Sequence, residues 1–284
     1  MLRSAAYRLY QDFLMPSRLD GYERLLSSFR KAEYTFLTIC DLAVATLASK
    51  DLPRLTCVIR SDVDTDSATA QRMFEIEQSV GARTTYYFRL STLDVGLTRR
   101  LGACGSEAGY HYEELATIAR RLGLRNKADV DANLPLIRES FARNIEHFAR
   151  TVGFMPRTIA SHGDFINRKL KIPNYYAIDG ALRERFSILA EAYDTWLNTS
   201  VGARFSDCDA PAWWMPEPPD KAISGSRRLS KNRGMRLGPP GCGPRRCCGW
   251  WTTTCGVVCA FCICRRRQPK EKPAPNEGQG RRAA

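Results

Sequence analysis

Histidine is scarce in this chain: three occur among 284 residues, at positions 111, 147 and 162, and none follows His162. Any imidazole chemistry therefore rests on those three positions. Long apolar runs are also missing. None reaches the roughly 18 to 20 residues that cross a bilayer, so no stable membrane insertion is expected. Residues 1–16 mix Arg3, Arg8 and Asp12 with apolar residues and lack the uninterrupted apolar centre of a secretory signal, so a cytoplasmic, reducing location is expected. Paired cysteines at metal spacing are few. Cys259 and Cys262 form one C-x-x-C, but no second pair stands at zinc-ribbon distance and no His accompanies it.

What is present divides near residue 224. The formal net charge is +13, yet residues 225–284 hold 14 Lys and Arg against 2 Asp and Glu, leaving 29 against 28 in residues 1–224. The balanced front gives no polyanion signal, and the basic excess of the tail is attached to no recognition fold, so nucleic acid is not an expected partner. Seven of the 11 cysteines fall between Cys242 and Cys264, while Cys40, Cys57, Cys104 and Cys208 are scattered. Cys40 and Cys57 lie in apolar runs suited to reduced core thiols. Residues 225–284 admit several accounts: a disordered basic tail with weak affinity for membrane or anionic lipid, a cysteine metal site, or a GC-rich frame translated out of register. Residues 1–224 are long enough for one α/β domain with a substantial core.

Within that front part, residues 34–40, 55–59 and 84–90 are rich in β-branched and aromatic residues and are expected as buried strands. Residues 67–80 have helical spacing through Ala70, Met73, Phe74 and Glu77 and end at Gly81, a C-cap candidate. A Gly-rich turn over residues 105–109 is expected to lead through Tyr110 and His111 into a helix over 112–123. A longer amphipathic helix over 133–152 places Leu136, Ile137, Phe141, Ile145 and Phe148 on one side. Short strands follow at 158–161 and 188–190. Strands alternating with helices at this rhythm predict a parallel α/β architecture whose strand-to-helix junctions converge on one face.

The chemistry gathers at such junctions. The strand through Ile59 runs into Asp62, Asp64 and Asp66. Asp62 and Asp64 lie two apart and project to one side in extended geometry, where two carboxylates repel unless a metal ion or a proton lies between them. The alternative is a solvated turn in which one Asp caps the next helix. His111 and His162 stand at expected turns beside Gly109 and Gly163, whereas His147 lies within the long helix and is expected at the surface or boundary. One carboxylate with two neutral imidazoles suits a catalytic divalent metal, zinc first among them, and makes Asp64, His111 and His162 the candidate ligands.

The order of these segments resembles the polysaccharide deacetylase superfamily. It is carried by Ile59-Arg60-Ser61-Asp62-Val63-Asp64, then residues 82–88, then residues 105–114 around His111, then Ser161-His162-Gly163-Asp164 and Glu191-Ala192-Tyr193-Asp194. It covers roughly residues 20–220 and is closest to a branch associated with bacterial surface-polysaccharide gene products. The resemblance implies a distorted parallel (β/α) barrel over residues 1–224, and the composition of residues 225–284 predicts a disordered basic, Cys-rich tail. It also implies Asp62 as general base, Asp64 and His111 as metal ligands, and hydrolytic deacetylation of an N-acetylated sugar or surface-polysaccharide precursor. The pattern departs from the family at two points. Leu115 stands where superfamily enzymes supply a second His four residues after the first, leaving His162, Glu113 or Glu114 to complete the ligand set. The usual later Leu-His element has no counterpart. An inactive deacetylase-like binding module or truncated remnant is therefore the alternative function.

Overall fold

The computed structural model describes residues 19–201 together with the backbone of residues 203–206 and 257–265. The chain runs through α1 (Leu19–Lys31), β1 (Thr35–Leu37), α2 (Ile39–Leu47), β2 (Leu55–Val63), α3 (Ser67–Ser79), β3 (Thr85–Phe88), α4 (Val95–Ala103) and β4 (Glu107–Tyr112). It continues through α5 (Glu114–Leu122), α6 (Lys127–Ala132), α7 (Leu134–Val152), β5 (Thr158–Ser161), α8 (Phe165–Leu170), α9 (Gly180–Arg185), β6 (Ala190–Glu191), α10 (Thr195–Thr199), β7 (Ala203–Ser206) and β8 (Val257–Arg265). Among the described residues no helix is long and apolar enough to cross a membrane.

Local signals account for the main helices. Asp66 caps α3, its side chain accepting from the Ala68 and Thr69 N–H groups, so the third carboxylate of the acidic run takes the capping role. The chain leaves α3 through Gly81 in the left-handed region, φ +68°. The long helix α7 opens with Pro135 in its first turn and ends at left-handed Gly153, while Ile137, Phe141, Ile145 and Phe148 are buried along it.

Strands β1 to β6 form a parallel sheet curled into a half-barrel. Its neighbours follow chain order from β2 through β3, β4 and β5 to β6. Each crossover therefore advances one place, and the carboxyl ends of the strands gather on one rim. Strand β8 pairs antiparallel with the whole of β2, from Leu55 opposite Arg265 to Val63 opposite Val257. Strands β1 and β3 must then share the other edge of β2, at Thr56–Val58 and Arg60–Val63 respectively. One apolar cluster joins Ile59, Val63, Tyr86, Phe88, Tyr110 and Tyr112 of the sheet to Phe74 of α3 and to Phe141 and Phe148 of α7.

Three sequence expectations need correction. Strand β2 extends through Val63, so Asp62 belongs to the strand and only Asp64 to the turn. Residues 107–112 form a strand, not a turn into a helix, and His111 lies within it. Gly109 misled because its reason is packing: a Cβ there would stand 2.5 Å from Tyr87 Cε1 and 2.7 Å from the Thr158 carbonyl oxygen. The Tyr87 ring passes over β4 at that point to reach Thr158 Oγ1 on β5, 2.7 Å from its hydroxyl. The third correction concerns Val257–Arg265, expected inside a disordered tail, which is a sheet strand. Its β-branched and aromatic residues suit pairing along the full length of β2. The segment 1–16, Cys208 and the basic, cysteine-rich stretches on either side of β8 lie outside the described residues.

Candidate metal centre

The rim at the carboxyl ends of β2, β4 and β5 brings Asp64, His111 and His162 together. Asp64 directly follows β2, and its turn is held from the β3 junction. Arg89 Nη1 donates to the Asp64 carbonyl at 3.0 Å, and Thr92 Oγ1 donates to the Val63 carbonyl at 2.6 Å. His111 sits opposite Ala160 in the β4–β5 register, with its Nδ1 3.0 Å from the Ala160 carbonyl oxygen. A carbonyl only accepts, so Nδ1 carries a proton, and in the neutral ring that a metal would require Nε2 turns a lone pair toward Asp64. His162 follows β5, its N–H donating to the Tyr112 carbonyl at 2.8 Å.

The three candidate atoms make a small triangle. Asp64 Oδ1 is 3.2 Å from His111 Nε2 and 3.0 Å from His162 Nδ1, and the two ring nitrogens are 3.2 Å apart. Asp64 Oδ1 is buried and makes no hydrogen bond of good geometry. A buried acceptor facing two imidazole nitrogens is the donor set a divalent ion requires. Tetrahedral ligand atoms about 2.1 Å from zinc stand about 3.4 Å apart, close to these separations. The residues therefore fit a zinc-like ion. Burial would raise the Asp64 carboxyl, but the two imidazoles that face it hold it well below the usual carboxylate range. Burial would lower His111, yet the charges of Asp62 and Asp64 and the Asp64 hydrogen bond raise it.

Asp62 lies beside the triangle, Oδ2 standing 3.9 Å from His111 Nε2. It is gripped by Arg60, whose Nε is 2.7 Å from Oδ1 and whose Nη2 is 2.5 Å from Oδ2. The guanidinium lies 4.5 Å from the Tyr193 ring centre and 5.5 Å from that of Tyr87, and Nη2 donates to the Tyr193 hydroxyl at 2.9 Å. Arg60 and Asp62 share a side because they are two apart on β2, a signal that alternation made available in the sequence.

The remaining candidates separate clearly. His147 is exposed on α7. Glu114 turns into the core, accepting from the Tyr110 hydroxyl at 2.5 Å and from Asn144 Nδ2 at 2.9 Å, so it does not complete the ligand set. Glu113 and Asp164 approach His162 within ligand range. Both already hold cations, Glu113 through Arg89 Nη2 at 2.8 Å and Asp164 through Arg120 Nη2 at 2.5 Å. Leu115 is 1% exposed and packs with Ile118, Val130 and Ile137.

Sequence reasoning missed the side chains that hold this site in place. Glu191 on β6 accepts from the Ser161 and Tyr193 N–H groups at 2.8 and 2.6 Å, beside the Arg60 charge. Burial pushes its carboxyl up to about 7. Fold and site together define an α/β protein with an Asp/His/His centre at the mouth of a curled parallel sheet. No family model matches the chain, and no curated protein matches it. Among solved structures the chain is similar to the Streptococcus pyogenes deacetylase PplD in complex with acetate, with a TM-score of 0.42 and 10% identity over 60% of this chain and 70% of that one.

Proposed function

We propose that the chain is a metal-dependent hydrolase that removes acetyl groups from an N-acetylated sugar or a surface-polysaccharide precursor, with Asp64, His111 and His162 holding the metal. The observation that carries the metal assignment is the triangle of Asp64 Oδ1, His111 Nε2 and His162 Nδ1, with edges of 3.0 to 3.2 Å, built on an orphaned buried carboxylate oxygen. The resemblance of the ordered motifs to polysaccharide deacetylases supports the choice of reaction and substrate. A divalent ion bound there supplies Lewis-acid polarisation of an acetamide carbonyl and acidifies water.

The resemblance makes Asp62 the candidate base, and its Oδ2 lies 3.9 Å from His111 Nε2. The Arg60 fork fixes its orientation and keeps the carboxylate charge compensated in a buried place. For Asp62 to take a proton from an attacking water, the water must reach an oxygen already engaged by Arg60. That engagement, with Leu115 committed to the core, favours a second reading in which the site binds a metal or sugar without turnover.

Metal analysis of the purified full-length protein separates these readings. About one divalent ion per chain is expected, lost in Asp64→Ala and His162→Ala and retained in His147→Ala. Equal retention in all three variants would sink the assignment. Acetate release from N-acetylated oligosaccharides then decides between enzyme and binding module.

A further inference from the structure

Asn174 opens the 3₁₀ turn Asn174–Ala177 and is 1% exposed, a rare position for an uncharged amide unless every polar atom has a partner. Its Nδ2 donates to the His162 carbonyl at 2.5 Å and to Asn167 Oδ1 at 3.1 Å, while its Oδ1 accepts from the Ala116 N–H at 3.0 Å. Three segments meet on this one side chain. The Ala116 N–H is one of the first-turn donors of α5 that no helical carbonyl satisfies, and α5 begins two residues after β4, the strand that carries His111. Asn167 in turn accepts from the Asp164 N–H at 3.1 Å and donates to the Ile172 carbonyl at 2.9 Å.

The short loop between β5 and α8 is therefore tied at both ends, at the His162 carbonyl by Asn174 and at the Asp164 amide by Asn167. Asp64 has the equivalent tie, with Arg89 on its carbonyl. His111 needs none because it lies inside a strand.

We infer that Asn174 is a positioning residue that fixes His162 Nδ1 toward Asp64 and His111 by clamping the His162 backbone. This rests on the metal-centre reading above. Asn174 touches none of the three candidate ligand atoms, so its effect must pass through His162. An aspartate at 174 keeps an acceptor for the Ala116 N–H but has no amide donors, and it places a carboxylate against the His162 carbonyl.

The test uses the full-length protein with cobalt(II) as the probe metal. Asn174→Asp and Asn174→Ala are each expected to weaken cobalt affinity about 10- to 100-fold and to alter the visible spectrum of the bound ion. Combining either with His162→Ala should add little to the loss from His162→Ala alone. Leu26→Ala, which opens a cavity at a buried apolar residue of α1, should lower the melting temperature and leave affinity unchanged. Wild-type affinity in both Asn174 variants, or losses that add fully to that of His162→Ala, would overturn the inference while leaving the metal centre standing. Wild-type protein that binds no cobalt would overturn the metal reading. In that case the ring-proton resonances of His162 in the metal-free protein still report on the clamp. They should shift or broaden in the Asn174 variants and not in Leu26→Ala, and unchanged resonances would refute the clamp on their own.

Discussion

Arg60 grips Asp62 from the same strand, with Nε 2.7 Å from Oδ1 and Nη2 2.5 Å from Oδ2, and the two side chains are only 6% and 9% exposed. A pair this deep is costly to break from one side, because the surviving charge is left without a partner. Arg60→Met and Asp62→Leu should each lower the unfolding free energy by about 3 to 5 kcal/mol. The double variant should cost clearly less than the two losses combined. Urea unfolding of the four proteins measures this directly. If Asp62 also serves as base, Asp62→Asn should reduce acetate release about 100-fold or more while leaving the metal content intact.

The strand that carries Asp62 was legible in the sequence, because Cys57, Val58 and Ile59 read as a buried run. The companions of Asp64 were legible for a different reason: of the three histidines in the chain only His111 and His162 fell at expected junctions, although His111 lies within β4. What stayed hidden depends on contacts between distant segments. Gly109 gives a turn signal locally, but its lack of a side chain serves the Tyr87 ring that crosses β4. Asn174 lies in an ordinary Pro-Asn-Tyr-Tyr stretch, and nothing in that stretch foretells a bond to a residue twelve positions away.

The strand assignment for residues 107–112 predicts the outcome of Gly109→Ala. The added methyl meets both the Tyr87 ring and the Thr158 carbonyl, so β4 or the ring must shift. Overpacking of this kind costs about 1 to 3 kcal/mol. Because His111 is two residues along the same strand, metal affinity should fall together with the melting temperature. Were residues 105–109 an exposed turn, the substitution would leave both nearly unchanged.

A buried carboxyl far from the centre should shape the acid–base stability profile. Glu77 on α3 accepts from the Tyr22 hydroxyl and, at 2.7 Å, from Thr84 Oγ1, tying α1 and the start of β3 to α3. Burial pushes its carboxyl up from 4.5 to about 7, against those hydroxyl donors. The folded state therefore keeps a proton that the unfolded chain releases above about pH 4.5. The contribution is fully present below that pH and is lost as pH rises through about 7, a change of about 3 kcal/mol. Glu77→Gln should flatten the decline between pH 4.5 and 7 without changing metal content. Urea midpoints measured across that range test it, and an unchanged slope would count against a protonated Glu77.

Leu115 poses a sharper question, because the polysaccharide deacetylases that the sequence resembles place a ligand where this chain has a leucine. Its side chain is 1% exposed and packs in the cluster formed by Ile118, Val130, Ile137, Leu170 and Ile172. Helix α5 therefore spends this position on the core, and the second imidazole of the triangle is that of His162 at the β5 rim. Leu115→His should not restore a ligand. An imidazole buried among aliphatic side chains loses hydration without gaining a partner, at a cost of about 2 to 4 kcal/mol. The expected outcome is a lower unfolding midpoint with metal affinity equal to or below that of the parent protein. Tighter binding in Leu115→His, particularly if His162→Ala then became tolerable, would show that α5 can turn toward the centre and that the leucine marks a lost ligand.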